Sequence, residues 1–504
     1  MTVLRDLPTI EATERLGHEI ALVARPGTAI LLEGELGAGK TTLARAIIRS
    51  LSGGIELEVP SPTFTLVQTY ESGRMPVAHA DLYRIGDASE ISELGLNDLA
   101  RSQLLLIEWP DRMKAALLED ALTVRLEGTG TGRRAALRGA GSWKLALERL
   151  EAISHFLPSA GFAAASRRFL EGDASFRRYE RLDRAGQSYI LMDMAARPDG
   201  PPVKHGKPYS AIAHLAEDIR AVLAVNAYLE SLGYSAPHTY AHDTARGLAV
   251  IEDLGSRVYG RMMLAGEDMD EPMANATLLL ADMAGRQWPR EIPIPGGGHH
   301  TVPQYDVDAL TIETELLLDW YWPFLTGRNA PQDARESFAA AWSEFMPLTQ
   351  PVNPVWALRD FHSPNLLWMP ERSGLRRVGL IDTQDCLLGH PAYDLASMLR
   401  DARVDVPFEV AEDLLEFYCA AREDDPSFDK AEFRRAFALF SVQRATKILG
   451  IFARLSRRDG KHGYIRHMPR VSRYLERDLA HPDLARLRVW YDRHLPANLR
   501  ASAA

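Results

Sequence analysis

At 504 residues the chain is too long for one hydrophobic core, and two or three domains are expected. Hydrophobic residues make up 46% and charged residues 25%, which fits globular protein and excludes a disordered or fibrous chain. A formal net charge of -10 argues against gripping nucleic acid through a broad basic face, leaving contact with RNA through a partner. The two cysteines, Cys386 and Cys419, are too few for a zinc cluster or a disulfide framework and are expected in packed interiors. No signal layout opens the chain and no apolar run reaches the roughly 18 residues of a membrane span, so a cytoplasmic protein with no membrane partner is expected.

In chain order, Ile10, Leu16, Ile20 and Val23 recur at helical spacing within 8–24, with Thr9 as N-cap and Glu11 in the first turn. Ala29-Ile30-Leu31-Leu32 reads as a buried strand and 43–51 as a helix. Between them Gly34-Glu35-Leu36-Gly37-Ala38-Gly39-Lys40-Thr41-Thr42 fits G-x-x-x-x-G-K-[ST]. In such a loop the backbone N–H groups turn inward on phosphate oxygens, Lys40 adds positive charge, and the Thr41 hydroxyl can hold Mg²⁺. The helix that follows points its N-terminus at the phosphates, so Gly34, Gly37, Ala38, Gly39, Lys40, Thr41 and Thr42 are read as a nucleotide site.

Ser61-Pro62-Thr63-Phe64-Thr65-Leu66-Val67 passes from a proline turn into an alternating strand. Thr63 stands where a switch-like segment reaches metal or γ-phosphate, although Ser-Pro-Thr is also an ordinary turn. His79-Ala80-Asp81-Leu82-Tyr83-Arg84 follows a short strand. The apolar run 104–107 ends in Glu108-Trp109-Pro110, the layout of a strand that delivers a carboxylate to Mg²⁺ at the carboxyl edge of a parallel sheet.

The P-loop, Ser-Pro-Thr-Phe, His-x-Asp-Leu-Tyr-Arg and Ile-Glu-Trp-Pro, in this order and with Glu93-Leu94-Gly95 between, resemble TsaE. That family is the ATPase subunit of tRNA threonylcarbamoyladenosine synthesis, and the likeness covers about residues 1–140. The resemblance implies that Lys40 contacts the β and γ phosphates, that Thr41 and Glu108 hold Mg²⁺, and that Thr63 is the switch threonine. Asp81 would serve hydrolysis or metal positioning. It also implies low intrinsic ATP hydrolysis, dependence on threonylcarbamoyl-transferase subunits of the TsaB/TsaD type, and only indirect contact with tRNA.

Residues 126–134 have the glycine density of a turn, and 135–137 read as a short closing strand. A helix over 143–156, with Leu145, Leu147, Leu150, Ile153 and Phe156 on one face, is placed as an opening element of a second domain. The expected domains are 1–140 and 150–504.

Residues 170–182 read as a turn feeding a strand, and 187–194 as the next strand. The turn, with Ser175 and Arg177, either lies over nucleotide phosphates or is an ordinary hairpin. A helix over 213–232, a strand over 249–255 that ends in Glu252-Asp253-Leu254, and mostly helical sequence beyond give the outline of a two-lobed kinase. In Arg359-Asp360-Phe361-His362-Ser363-Pro364-Asn365, followed by Ile381-Asp382-Thr383-Gln384-Asp385, one carboxylate can take the acceptor proton and separate oxygens can hold a metal on the phosphates.

These segments resemble the aminoglycoside phosphotransferase and choline kinase superfamily, and within it a bacterial kinase group acting on N-acetylmuramate and N-acetylglucosamine at the anomeric hydroxyl. Further points of similarity are Gly172 to Tyr179, Met192-Asp193, Leu318-Asp319-Trp320-Tyr321 and Tyr393-Asp394-Leu395-Ala396-Ser397. The resemblance implies ATP as donor, a small sugar as acceptor, Asp360 as catalytic base, and Asn365 and Asp382 as Mg²⁺ ligands. Glu252 to Leu254 would be the hinge that receives adenine, while His362 and Asp394 would buttress the catalytic loop. Two positions depart from general kinases: Leu358 replaces a histidine, and Met192-Asp193 stands where a strand lysine is usual, so Arg177, Arg178 or Lys204 is expected to supply the charge.

The fold class is therefore α/β, a P-loop parallel-sheet domain followed by a two-lobed, protein-kinase-like phosphotransferase domain. Rival readings of the second half are a kinase for an amino alcohol or aminoglycoside, and a regulatory domain that binds ATP without transferring phosphate. Trp320-Tyr321-Trp322-Pro323 can stack on a sugar or pack a core, His299-His300 reads as a solvated loop, and the basic run from Arg454 to Lys461 as solvated helix surface.

Overall fold

The computed structural model describes residues 2–501 except 54–56, 72, 87, 114–118, 131, 171–176 and 197–199. The turn expected at Ser175 lies outside the described residues. The chain forms two compact units, Met1–Glu171 with Leu182–Gly186, and Gly172–Arg181 with Gln187–Ala504.

In the first unit seven strands form one sheet in the order Thr2–Leu7, Gly132–Gly139, Ala121–Thr129, Ala29–Glu33, Leu104–Glu108, Val77–Asp81, Val67–Tyr70. Ala29–Glu33 runs parallel to both neighbours, and Leu104–Glu108 runs parallel to Val77–Asp81; the outer pairings are antiparallel. Such a parallel centre must be covered on both faces. Ile30, Leu32, Leu104 and Leu106 join one core with Leu16, Ile20, Leu43 and Ile47 of two helices, while the alternate residues Ala29, Leu105, Ile107, Ala78 and Ala80 join a second core. Thr9 caps the helix Ile10–Val23 by accepting from the Ala12 N–H, as its sequence predicts.

Three boundaries differ from the sequence reading. The strand expected over 61–67 begins only at Val67, because Leu66 takes φ 63° and its N–H turns back to the Pro62 carbonyl at 2.7 Å. The glycine-dense stretch is mostly hairpin, with Ala121–Thr129 paired to Gly132–Gly139 and Gly130 at φ 67° in the turn. The helix Ser142–Ser159 buries Trp143, Ala146, Leu147 and Leu150 in the core of the first unit, whereas Leu145, put on the apolar face by the sequence pattern, is 55% exposed.

In the second unit Gln187–Asp193, Leu248–Glu252 and Thr239–Asp243 form successive antiparallel strands of a sheet, with Tyr189 opposite Glu252 and Asp193 opposite Leu248. Two short ladders follow, Val355–Ala357 with Leu387–Gly389 and Leu366–Trp368 with Val378–Leu380. The helix Lys430–Asp459 runs through the helical mass. It is long and apolar enough to cross a membrane, but its apolar window is 83% buried inside the protein, which makes it a core helix. Gly450 lets it cross the Val307–Leu316 helix closely, since a Cβ there would lie 2.5 Å from the Leu316 backbone. The helix expected over 213–232 is shorter, Ile219–Ser231, because Asp218 caps it and the Ala216 N–H is taken by Asp385 at 2.7 Å. Cys386 and Cys419 are buried. Tyr321 and Trp322 are core residues at 0% and 8% exposure, whereas Trp320 is only partly buried.

Candidate active sites

The first cluster lies at the carboxyl edge of the parallel strands. Gly34, Gly37 and Gly39 take φ of 142°, 79° and 103°, a left-handed region that glycine enters without strain, and the loop they shape feeds Lys40–Leu51. Lys40 is 5% exposed; its Nζ donates to the Gly34 and Glu35 carbonyls at 2.7 and 2.9 Å and sits 3.7 Å from the Trp109 ring centroid. Burial pushes the Lys40 pKa down, against the pull of Glu108 and Asp81. Parallel register places Asp81 directly beside Glu108. The Thr41 hydroxyl donates to Glu108 Oε2 at 2.9 Å, and His79 Nε2 meets Oε1 at 3.0 Å. Ser61 and Thr63 hydroxyls both donate to Asp81 Oδ2 at 3.0 Å, so the expected switch threonine stands on the second carboxylate. Thr42 lies in the first helical turn, and Ala38, 8% exposed, faces the core. The sequence reading missed Arg133, whose guanidinium reaches the Ala38 and Gly37 carbonyls at 3.2 Å each and braces the loop from the hairpin.

The second cluster assembles at the loop after Val355–Ala357. Asp394 accepts from the Leu358 and Arg359 N–H groups at 2.5 and 2.9 Å, and the Asp360 N–H closes onto the Leu358 carbonyl at 2.8 Å. Arg359 is held at φ 70°, a conformation that costs a non-glycine residue about 1 kcal/mol and is maintained by these bonds. His362 lies 3.7 Å from the Asp360 carboxylate. Desolvation opposes ionisation of Asp360, but the His362 imidazole beside it, then the charges of Lys447 and Arg359, hold its carboxyl well below the usual range. The antiparallel pairing of Leu366 with Leu380 brings Asn365 to Asp382: Asn365 Nδ2 donates to the Asp360 carbonyl at 3.0 Å and approaches Asp382 Oδ2 at 3.4 Å. With the amide nitrogen so used, Asn365 Oδ1 and the Asp382 carboxylate are an all-oxygen pair suited to a hard cation, as are Thr41 and Glu108 in the first unit.

Of the three cations expected to replace the strand lysine, Arg177 pairs with Asp382 at 2.5 Å, and Lys204 pairs with Glu315 at 2.7 Å. Leu254, Leu367 and Met369 form an apolar wall with partly buried Ile381, next to Asp382. Glu252 is held by Arg372 at 2.5 Å. Behind the loop is a buried ionic group that the sequence reading did not find. Glu313 accepts from Arg359, from Lys447 at 2.7 Å, from Gln443 at 2.9 Å and from Tyr305 at 2.5 Å, while Arg444 donates to the Arg359 carbonyl at 3.0 Å. Charged residues interrupting two apolar helical stretches were the only signal in the sequence.

Residues 7–136 match the family described as threonylcarbamoyl adenosine biosynthesis protein TsaE, and residues 166–433 match the phosphotransferase enzyme family. An N-acetylmuramate/N-acetylglucosamine kinase of Caulobacter vibrioides is 38% identical over 369 residues, covering 71% of this chain and 99% of the relative. A protein of the same description from Pseudomonas putida is 30% identical over 341 residues, 66% of this chain and 87% of the relative. The tRNA threonylcarbamoyladenosine biosynthesis protein TsaE of Rickettsia conorii is 37% identical over 131 residues, 26% of this chain and 74% of the relative.

Proposed function

Since this chain belongs to the TsaE family through residues 7–136 and to the phosphotransferase enzyme family through residues 166–433, we propose that it is a bifunctional enzyme that uses ATP at two separate sites. Residues 1–140 carry a partner-dependent ATPase of tRNA threonylcarbamoyladenosine synthesis, working in the cytoplasm with TsaB/TsaD-type subunits. Residues 150–504 phosphorylate the anomeric hydroxyl of N-acetylmuramate and N-acetylglucosamine. The observation that carries the second activity is the convergence of Asp360, Asn365 and Asp382 on one end of a short ladder.

In this reading the sugar hydroxyl gives its proton to the Asp360 carboxylate while its oxygen bonds the γ-phosphorus. The bond from that phosphorus to the β-bridging oxygen breaks, and its electron pair leaves with ADP. A depressed pKa suits Asp360, because a loose transition state asks the base to orient the hydroxyl and stay ionised rather than to pull hard on the proton. Arg177 supplies the phosphate charge that the strand lacks, and Leu254 with Glu252 lines the adenine hinge. Mg²⁺, held by Asn365 and Asp382 here and by Thr41 and Glu108 in the first site, would neutralise phosphate charge. In the first site Lys40 binds the β and γ phosphates and Asp81, with Thr63, positions the attacking water.

The test is ATP-dependent phosphorylation of both sugars by the full chain, with Asp360→Asn and Lys40→Ala alongside. Sugar phosphate should vanish with Asp360→Asn and persist with Lys40→Ala, whose loss should instead be in partner-stimulated ATP hydrolysis. No product from either sugar would overturn the sugar-kinase reading.

A further inference from the structure

The helix Lys430–Asp459 carries Gln443, Lys447, Gly450 and Arg454 at spacings that place them on one face. Gln443 and Lys447 bond to Glu313, and Gly450 packs on Leu316. Arg454 continues this row about 10 Å beyond Lys447, at 1.5 Å of rise per residue. Its guanidinium lies 5.2 Å from the centroid of the Tyr209 ring. Tyr209 in turn packs against Ile212, Ala213 and Ile312, and the Ala213 carbonyl accepts from Arg359 at 2.8 Å, so Arg454 borders the same wall that carries the loop at Asp360.

Of the other cations there, Arg359 and Lys447 share Glu313, Lys204 pairs with Glu315, and Arg444 donates to the Arg359 carbonyl. Arg454 has no carboxylate partner among the described residues. Its Nε is buried without a hydrogen-bond partner, and nearby Asp459 is taken by Arg458 at 2.7 and 3.0 Å. Burial pushes the Arg454 pKa down, against the pull of Tyr209 and Asp459. The sequence reading put this residue on a solvated helix surface, and it is instead partly buried. A desolvated, unmatched guanidinium is costly unless an anion arrives to pair with it.

We infer that Arg454 is the anion-recognising residue of the acceptor site, binding the lactyl carboxylate of N-acetylmuramate, a group that N-acetylglucosamine lacks. It thereby sets the preference between the two sugars. The inference rests on the sugar-kinase reading above.

The test is the kinetics of the full chain on both sugars, for wild type, Arg454→Gln and Arg454→Lys. A charge-assisted bidentate pair lost from binding should raise KM for N-acetylmuramate about 10- to 100-fold in Arg454→Gln, with KM for N-acetylglucosamine held within about twofold and partial recovery in Arg454→Lys. Equal changes for both sugars, or none for either, overturn the inference. So does a wild type that turns over N-acetylglucosamine alone, which leaves the kinase reading standing. A wild type inactive on both removes the kinase reading and the inference together.

Discussion

Replacing Glu313 by glutamine takes away a negative charge that two buried cations share. Glu313 is 0% exposed, Arg359 2% and Lys447 9%, and both cations bond to Oε1 while Tyr305 and Gln443 bond to Oε2. Breaking a buried pair by removing one partner costs about 3–5 kcal/mol, chiefly because an uncompensated charge stays behind. Here two are left, so the upper end applies, and glutamine's equal volume excludes a cavity contribution. For a unit of this size, about 2 °C per kcal/mol gives a fall of roughly 8–10 °C in Tm, read by calorimetry on the full chain. Activity should suffer as well. Arg359 precedes Asp360 in a left-handed conformation pinned by its side chain, its N–H and its carbonyl, and releasing the guanidinium lets Asp360, the proposed base, drift. A loss of about 10- to 100-fold in kcat for sugar phosphorylation is expected from misplacement alone. The double variant Glu313→Gln with Lys447→Met should recover stability, since it leaves one unpaired cation rather than two. A single variant within about 1 kcal/mol of wild type, or a double variant no more stable than the single, would refute the reasoning.

The same group makes a pH prediction. Burial would raise the Glu313 pKa, but Lys447 and Arg359 hold it at about 2 against an ordinary 4.5, so its contribution to stability is full above about 4.5 and is lost as pH falls toward 2. The stability gap between wild type and Glu313→Gln, measured by urea unfolding, should therefore narrow across that window; a constant gap would contradict it. Arg177→Ala should raise KM for ATP in sugar phosphorylation about 10-fold while leaving KM for the sugar unchanged, with Arg177→Lys intermediate, as checked by initial rates at varied ATP.

What could be read from the sequence was what is local in it. The P-loop brings its glycines, Lys40 and Thr41 together within a few residues, and Asp360 with Asn365 does the same for the second site. Glu108 ends an apolar strand and Asp382 follows the strand Val378–Leu380 by two residues, positions from which a carboxylate can reach a neighbouring strand's end. The buried ionic group has members in three distant segments, at Glu313, Arg359 and Lys447, and no spacing rule joins them. The amphipathic helix Ser142–Ser159 was legible as a helix, but periodicity shows that a face is buried and not which core receives it. Arg454 was hidden by the basic residues after it, which look alike in sequence although only some of them meet solvent.

The parallel register that sets Asp81 beside Glu108 has a consequence for how the first unit tolerates change in length. The pairing is fixed by backbone hydrogen bonds and by two buried faces, so inserting one residue inside Leu104–Glu108 would exchange the faces of every residue beyond it and carry Glu108 off its hydroxyl and imidazole partners. The crossover between the two strands is constrained where Leu82, Ile85, Ile91 and Leu96 pack into the second core, but its Asn97, Asp98, Arg101 and Ser102 are exposed. Insertions should thus accumulate at these exposed positions and be absent from the strands, which makes that part of the crossover the place to graft a tag or reporter without disturbing the acids.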